Sequence, residues 1–443
     1  MSSDTIYALA SGSGRAGVAV YRLSGADAGA ALVQLTRRPL PESRKAVRAR
    51  LWDSSDELID DGLVLWFPAP ASFTGEDVVE LHLHGGRAVA LALAEALGRL
   101  GLRPAEPGEF SRRAFLNGKL DLTQAEAMAD LVEAETAAQR RQALRQMEGG
   151  LARLVEEWRS RLVSALAHLE AVIDFADDGI PDGLLERVEG EVAALADVLD
   201  SHLADNHRGE RLRDGIHIAI IGAPNAGKSS LLNRLAGREA AIVSSTAGTT
   251  RDVIEVHLDL LGWPVVLADT AGLRQAACAV EAEGVRRALA RAEAADLKLA
   301  VFDAGSEGAM VDAATLAVID DATLVVVNKL DVAEAPLPET IAGRPAVLIS
   351  ARSGAGLDQL VDALGAAVAA RFAVGGAPVL TRARHRRAVE EGVAALRRFN
   401  PGGAVELAAE DLRLAARALG RIGGRVEVDE VLDVIFHEFC IGK

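Results

Sequence analysis

Gly222-Ala223-Pro224-Asn225-Ala226-Gly227-Lys228-Ser229 is a complete GxxxxGKS stretch, and its surroundings decide the fold of the chain on either side. An apolar run at residues 216–221 precedes it, and an amphipathic segment at residues 229–235 follows. Strand, glycine loop and helix in that order is the context in which this motif acts as a phosphate loop. Glycines let backbone N–H groups wrap a polyphosphate, and the helix behind them points the positive end of its dipole at the same charge. Lys228 supplies a cation to the β- and γ-phosphates, and the Ser229 hydroxyl is placed to ligate Mg²⁺. Asn225, Ala226, Gly227, Lys228, Ser229 and Ser230 therefore predict a nucleoside triphosphate site.

Outward from the loop, apolar runs at 254–260, 265–268, 297–302, 324–327 and 346–349 alternate with amphipathic segments. This alternation predicts a mostly parallel sheet with helices on both faces. Leu261-Gly262-Trp263-Pro264 is short enough to join two of the strands as an antiparallel hairpin. Residues 1–118 mix short alternating runs with glycine-rich turns, which predicts an α+β domain. From Leu122 to about Leu203 the sequence turns to alanine- and leucine-rich helical stretches, with Thr123 and Glu126 spaced as a capping box. Gly375-Gly376-Ala377-Pro378 reads as a linker, and helical patterns return at Arg384. The predicted organisation is multidomain α+β and α/β. An N-terminal α+β domain covers 1–118, an α/β nucleotide domain covers 211–374, and an all-α domain is split into 119–210 and 375–443.

A phosphate loop alone leaves ATP and GTP open, but four further elements follow in register. Gly248-Thr249-Thr250 offers a hydroxyl to Mg²⁺, with Thr250 the ligand. Asp269-Thr270-Ala271-Gly272 ends an apolar strand, where a carboxylate can hold Mg²⁺ through water and a glycine N–H can meet the γ-phosphate. Asn328-Lys329-Leu330-Asp331 places a carboxylate against the N1–H and 2-amino donors of guanine, a pair that adenine lacks. Ser350-Ala351-Arg352 resembles the loop that contacts the base oxygen. Together these predict a Ras-like P-loop GTPase domain. The glutamine that orients water in Ras-type enzymes is replaced here by Leu273. Asn225 offers an amide oxygen to a monovalent cation, and Glu281 is a candidate for orienting water; alternatives are a loop-stabilising amide and a solvated helix-face carboxylate.

With 443 residues and half of them apolar, the chain is long enough for two to four domains. A formal charge of −16 argues against binding nucleic acid through bulk charge, though not against a local basic face. Two cysteines fit a reducing compartment, and no lipid-spanning run or signal-peptide core is evident. A cytoplasmic protein without membrane contact is expected.

Residues 225–233, 248–252 and 269–274 are similar to those of the MnmE (TrmE) family of tRNA-modifying GTPases. So are Phe73-Thr74-Gly75-Glu76-Asp77, residues 113–121 and Cys440-Ile441-Gly442-Lys443. The resemblance implies a homodimer that associates with a FAD-containing MnmG-type protein and modifies C5 of the wobble uridine of certain tRNAs. The added group is aminomethyl or carboxymethylaminomethyl, its carbon coming from a 5-formyl- or 5,10-methylene-tetrahydrofolate. It further implies K⁺ at Asn225, Ser244, Thr246 and Thr249, within a loop where Ser245, Ala247 and Gly248 also line the nucleotide, and a role for Glu281 in hydrolysis. The implied folate site is Arg22, Glu80, Lys119 and Lys443, closed by the chain end across a dimer.

Residue chemistry is compatible with that folate site. Along residues 79–84, alternation buries Val79, Leu81 and Leu83 and puts Glu80, His82 and His84 on the other face. Glu80 can read the donor edge of a pterin, while Arg22 or Lys119 can pair with a carboxylate. Cys440 is either a small buried hydrophobe or, as the resemblance implies, a residue of the modification chemistry. The basic run at residues 382–387 either meets tRNA phosphates or is a solvated helix start. A K⁺-dependent GTPase switch in ribosome assembly is the alternative function, but no GXXG loop of a KH module follows Leu380.

Overall fold

Period-2 alternation builds the first sheet. Strands β1 (Ile6–Leu9), β2 (Ala16–Ser24), β3 (Val47–Trp52), β4 (Leu58–Phe67), β5 (Val78–Gly85) and β6 (Arg103–Pro104) lie in the order β3-β4-β5-β2-β1-β6. All neighbours are antiparallel except β1 and β6. One face, with Tyr21, Leu23, Val79, Leu81 and Leu83, packs against helices α1 (Ala28–Thr36) and α2 (Arg87–Arg99). On the other face Ile6 and Ala8 meet Phe110 of α3 (Glu109–Leu116), and Phe73 closes the cluster. The computed structural model describes residues 4–174, 183–205, 207–238, 255–269, 293–305, 313–333, 336–373, 375, 379–425, 435, 436, 439 and 442. It divides into one unit of residues 1–129 with 419–443 and another of 130–418.

Residues near the chain end are part of the first unit. Phe436 and Phe439 pack ring to ring at 5.5 Å, and with Ile435 they join Leu122 and Ala125 in a small apolar cluster. Gly442 sits so tightly on β1 that a Cβ there would lie 2.1 Å from the Leu9 carbonyl oxygen. Its φ of 100° is also one that glycine adopts without strain. The expectation that the tail approaches this domain across a dimer thus meets a different arrangement: Gly442 reaches β1 of its own chain.

Continuous apolar runs build the second sheet, because both of its faces are covered. Strands β7 (Ile216–Ile221), β8 (Glu255–Leu260), β9 (Trp263–Asp269), β10 (Leu297–Asp303), β11 (Thr323–Asn328), β12 (Thr340–Ile341) and β13 (Arg344–Leu348) lie in the order β12-β13-β11-β10-β7-β9-β8. Strands β7, β9, β10, β11 and β13 are parallel, and β8 and β9 form the expected hairpin, Leu260 opposite Trp263. Ile218, Ile220, Leu267, Leu299 and Val326 fill one face, and Ala219, Ile221, Ala300, Phe302 and Val325 the other. The Ras-like expectation holds.

Helices α4 (Leu122–Glu133), α5 (Ala137–Met147), α6 (Gly150–Asp174), α7 (Leu184–Leu203) and α8 (Arg208–Asp214) precede the second sheet. The capping box expected at Thr123 and Glu126 is two residues earlier. Asp121 Oδ1 accepts the Gln124 N–H at 3.0 Å, and Gln124 Oε1 accepts the Asp121 N–H at 3.1 Å. Thr123 and Glu126 are instead fully buried inside the helix. A second box, Thr136 with Gln139, starts α5. The run at 382–387 matches neither of its two expectations as a whole. Arg382 pairs with Asp130 at 2.7 Å, and Arg386, 7% exposed, pairs with Asp205 at 2.7 Å and Glu210 at 3.2 Å. These arginines tie the helix Ala383–Arg398 to segments that precede the nucleotide-binding sheet.

Candidate functional sites

Strand β7 stops at Ile221, and the chain turns through the phosphate loop into helix α9 (Lys228–Arg238). The loop's glycines are demanded by close approaches. A Cβ on Gly222, at φ 153°, would lie 2.3 Å from the Val301 carbonyl, and one on Gly227, at φ 92°, 2.2 Å from Asn328 Nδ2. Asn225 is also left-handed, at φ 63°, and its side chain is exposed. Lys228 is buried, and its Nζ donates to the Gly222 and Ala223 carbonyls, both at 2.8 Å. The ammonium is therefore folded over the loop, at the concave side of a run of backbone amides. Ser229 and Ser230 are exposed in the first turn of α9. A glycine cradle, a cation and two hydroxyls suit a magnesium-bound triphosphate.

Asn328 connects this cradle to the base-reading loops. Only 2% exposed, it donates Nδ2 to the Ala226 carbonyl at 2.8 Å and accepts the Ala351 N–H on Oδ1 at 2.9 Å. The amide of the Asn-Lys-Leu-Asp motif thus fixes the phosphate loop and the Ser350-Ala351-Arg352 turn relative to each other. Lys329 is held by Asp303 at 2.6 Å. Asp303 was missed in the sequence, although it ends β10 directly opposite Asn328. Leu330 N donates to Ile349 O at 3.0 Å, so the loop lies against the end of β13. Asp331 is exposed, and Ser350 Oγ donates to its Oδ1 at 2.6 Å. That hydrogen bond, helped by the Arg352 and Lys329 charges against a smaller desolvation cost, holds its carboxyl below the usual carboxylate range. An ionised Asp331 suits two N–H donors. Asp269 ends β9. Ser244, Ser245, Thr246, Ala247, Gly248, Thr249, Thr250, Thr270, Ala271, Gly272, Glu281, Cys440 and Lys443 lie outside the described residues.

In the first unit, Ala8, Arg22 and Glu80 form one cross-strand row over β1, β2 and β5. Arg22 donates to Glu80 Oε1 from Nη2 at 2.9 Å and from Nε at 3.2 Å, and His82 Nε2 lies 3.5 Å from Glu80 Oε2. The expected burial of Val79, Leu81 and Leu83 and the shared face of Glu80 and His82 are both present. His84 meets Asp60 of β4 through Nδ1 at 2.8 Å. The Arg22 guanidinium also lies over Phe73 and Phe110, 5.1 and 5.8 Å from the ring centres. Glu80 and Arg22 therefore occupy each other, and a ligand reading either of them has to exchange that pair.

The two motif stretches of this unit are one structure. Asn117 Nδ2 donates to the Thr74 carbonyl at 2.7 Å, and Arg113 bridges Glu76 at 3.0 Å and Glu109 at 2.9 Å. Burial alone would raise the Glu109 pKa, but hydrogen bonds from Arg103, the Glu106 N–H and Arg113 bring it below its ordinary value. Lys119 lays its stem on Gly75 and donates Nζ to the Pro70 carbonyl at 3.0 Å. Phe73, next to Arg22, and Gly75, under Lys119, belong to the same turn. Among the described residues no three His, Cys, Asp or Glu side chains gather as a metal site, and no helix is long and apolar enough to cross a membrane.

A phosphate cradle, a buried asparagine behind it and a surface aspartate held for guanine define a P-loop GTPase, a GTP-hydrolysing enzyme. Comparison with known proteins agrees along the whole chain. Residues 5–119 match the family "GTP-binding protein TrmE N-terminus", and residues 122–440 match the family "MnmE helical domain". A tRNA modification GTPase MnmE from Paramagnetospirillum magneticum is 70% identical over 100% of both chains. Another, from Rhodospirillum rubrum, is 58% identical over 100% of both. The mitochondrial 5-taurinomethyluridine-[tRNA] synthase subunit of Danio rerio is 48% identical, over 99% of this chain and 93% of its own. The chain belongs to the tRNA modification GTPase MnmE family.

Proposed function

We propose that this GTPase serves modification of tRNA at C5 of the wobble uridine, drawing the added carbon from a tetrahydrofolate and acting as a homodimer with a FAD-containing partner. One observation carries the reading. The Ala8–Arg22–Glu80 row lies on a sheet face beside two aromatic rings, and Gly442 lies against the strand that begins that row. A pterin has a donor edge for a carboxylate and a flat face for aromatic contact, while the glutamate tail of folate suits Arg22, Lys119 or Lys443. When bound, folate supplies a one-carbon unit; this chain's residues bind and orient it. Cys440 stands near enough in sequence to Gly442 to join the same site.

In the GTPase domain, we assign Mg²⁺ to Ser229 and Thr250, and K⁺ to Asn225 with Ser244, Thr246 and Thr249. The exposed, left-handed Asn225 supports the second assignment. A monovalent cation against the phosphates supplies positive charge where an arginine finger otherwise would. Glu281 would orient water in place of the glutamine that Leu273 replaces. Pairing of two GTPase domains would order residues 244–250 around the ion.

The folate part is tested by calorimetric titration of 5-formyl-tetrahydrofolate into the wild type, Glu80→Gln and Arg22→Ala. Micromolar binding by the wild type and at least tenfold weaker binding by both variants is expected. Equal binding by all three would remove the site.

A further inference from the structure

Helix α5 carries Arg140, Arg141 and Arg145 and no acidic residue. At 3.6 residues per turn all three share a face with Leu144, which is 42% exposed. The three arginines are exposed too, and among the described residues their side chains make no ion pair or hydrogen bond. Elsewhere in this unit arginine finds carboxylates: Arg159 with Glu156, Arg211 with Asp296, Arg397 with Asp197 and Asp200. Arg140 also closes the first turn of its helix, where the positive end of the dipole disfavours a cation. Nothing among the described residues explains that placement. Three cations on one face without a partner among the described residues concentrate positive potential in a chain whose net charge is −16.

Beside this face lies a cavity of about 730 Å³, bordered by Arg141, Arg145, Gln142, Leu151 and Trp263. Gln142 donates Nε2 to the Gly209 carbonyl at 3.0 Å, while its buried Oε1 meets no donor among the described residues. Cations outside, and a recess of mixed polar and apolar lining with an acceptor lacking its donor, match a polymer with a charged backbone and donor-bearing sugars or bases. Two acids, Glu148 at the end of the helix and Glu157, also border the cavity.

We propose that the arginine face of α5 and the adjoining cavity form a docking surface for tRNA, the arginines meeting backbone phosphates. This rests on tRNA being the substrate of the assembly. The test measures binding of a fluorescently labelled tRNA transcript by anisotropy at several salt concentrations. In the triple variant Arg140→Gln, Arg141→Gln, Arg145→Gln, affinity at low salt should fall about tenfold or more. The dependence of log K on log salt should flatten by roughly two to three, close to one for each phosphate that is no longer neutralised. Thermal melting and GTP hydrolysis should not change. Glu148→Lys, on the same rim, should strengthen binding and steepen the salt dependence. A wild type that binds no tRNA would overturn both this surface and the tRNA reading. Wild-type binding that both variants reproduce in affinity and slope would overturn the surface alone.

Discussion

Asp331 and Ser350 are 2.6 Å apart, and that contact makes guanine recognition a matter of protonation state. The folded carboxyl titrates below its ordinary value, so the ionised form persists until the pH falls through that lowered pKa. Removing the hydroxyl in Ser350→Ala moves the pKa up. GTP affinity in that variant should therefore begin to fail at a higher pH than in the wild type, which nucleotide titrations carried down through the ordinary carboxylate range, about pH 4 and below, would reveal. Coincident pH profiles would contradict the assignment. In Asp331→Asn an amide donor opposes two N–H donors. The cost is roughly 1–3 kcal/mol, or about 5- to 150-fold in GTP affinity, with a gain for xanthosine nucleotides.

At the scale of elements, the helix Ala383–Arg398 is pinned by Arg386 to Asp205, Glu210 and the Leu203 carbonyl. Arg386→Ala would leave two little-exposed carboxylates without their cation, and breaking a buried pair in this way costs about 3–5 kcal/mol. Denaturant unfolding should show that loss, with guanine specificity unchanged in what remains folded. This hub was not readable from the sequence, since six consecutive residues rich in arginine look alike whether their partners are phosphates, water or acids some 180 positions away. The nucleotide-binding sheet was readable, because the apolar runs ending at Ile221, Ala268, Val327 and Ile349 each lead into a loop whose residue types have one shared use. The capping box was misplaced by its spacing alone: Thr123 and Glu126 satisfy the pattern, but Asp121 and Gln124 stand two residues earlier, at the helix start, where the N–H groups have no partner within the helix. Thr136, which does cap α5, should cost about 1 kcal/mol of stability on replacement by alanine, measurable by thermal melting.

Across the whole molecule, the account separates two activities. The proposed GTP site lies in the loops at the ends of β7, β11 and β13, whereas Gly442 reaches the sheet of the first unit. The sequence shows both sets of residues but not the intrachain seat of Gly442, because no periodicity announces a glycine pressed on a distant carbonyl. Hydrolysis should be fast in K⁺ and slow in Na⁺, and Asn225→Ala should abolish the difference; equal wild-type rates in the two salts would remove the cation from the mechanism. The most direct test of the separation is nucleoside mass analysis of tRNA from a strain lacking this gene and complemented with the chain cut after Phe439. Such cells should contain unmodified wobble uridine, while the purified truncated protein keeps wild-type GTP affinity and K⁺-stimulated hydrolysis. Fully modified wobble uridine in those cells would contradict the account.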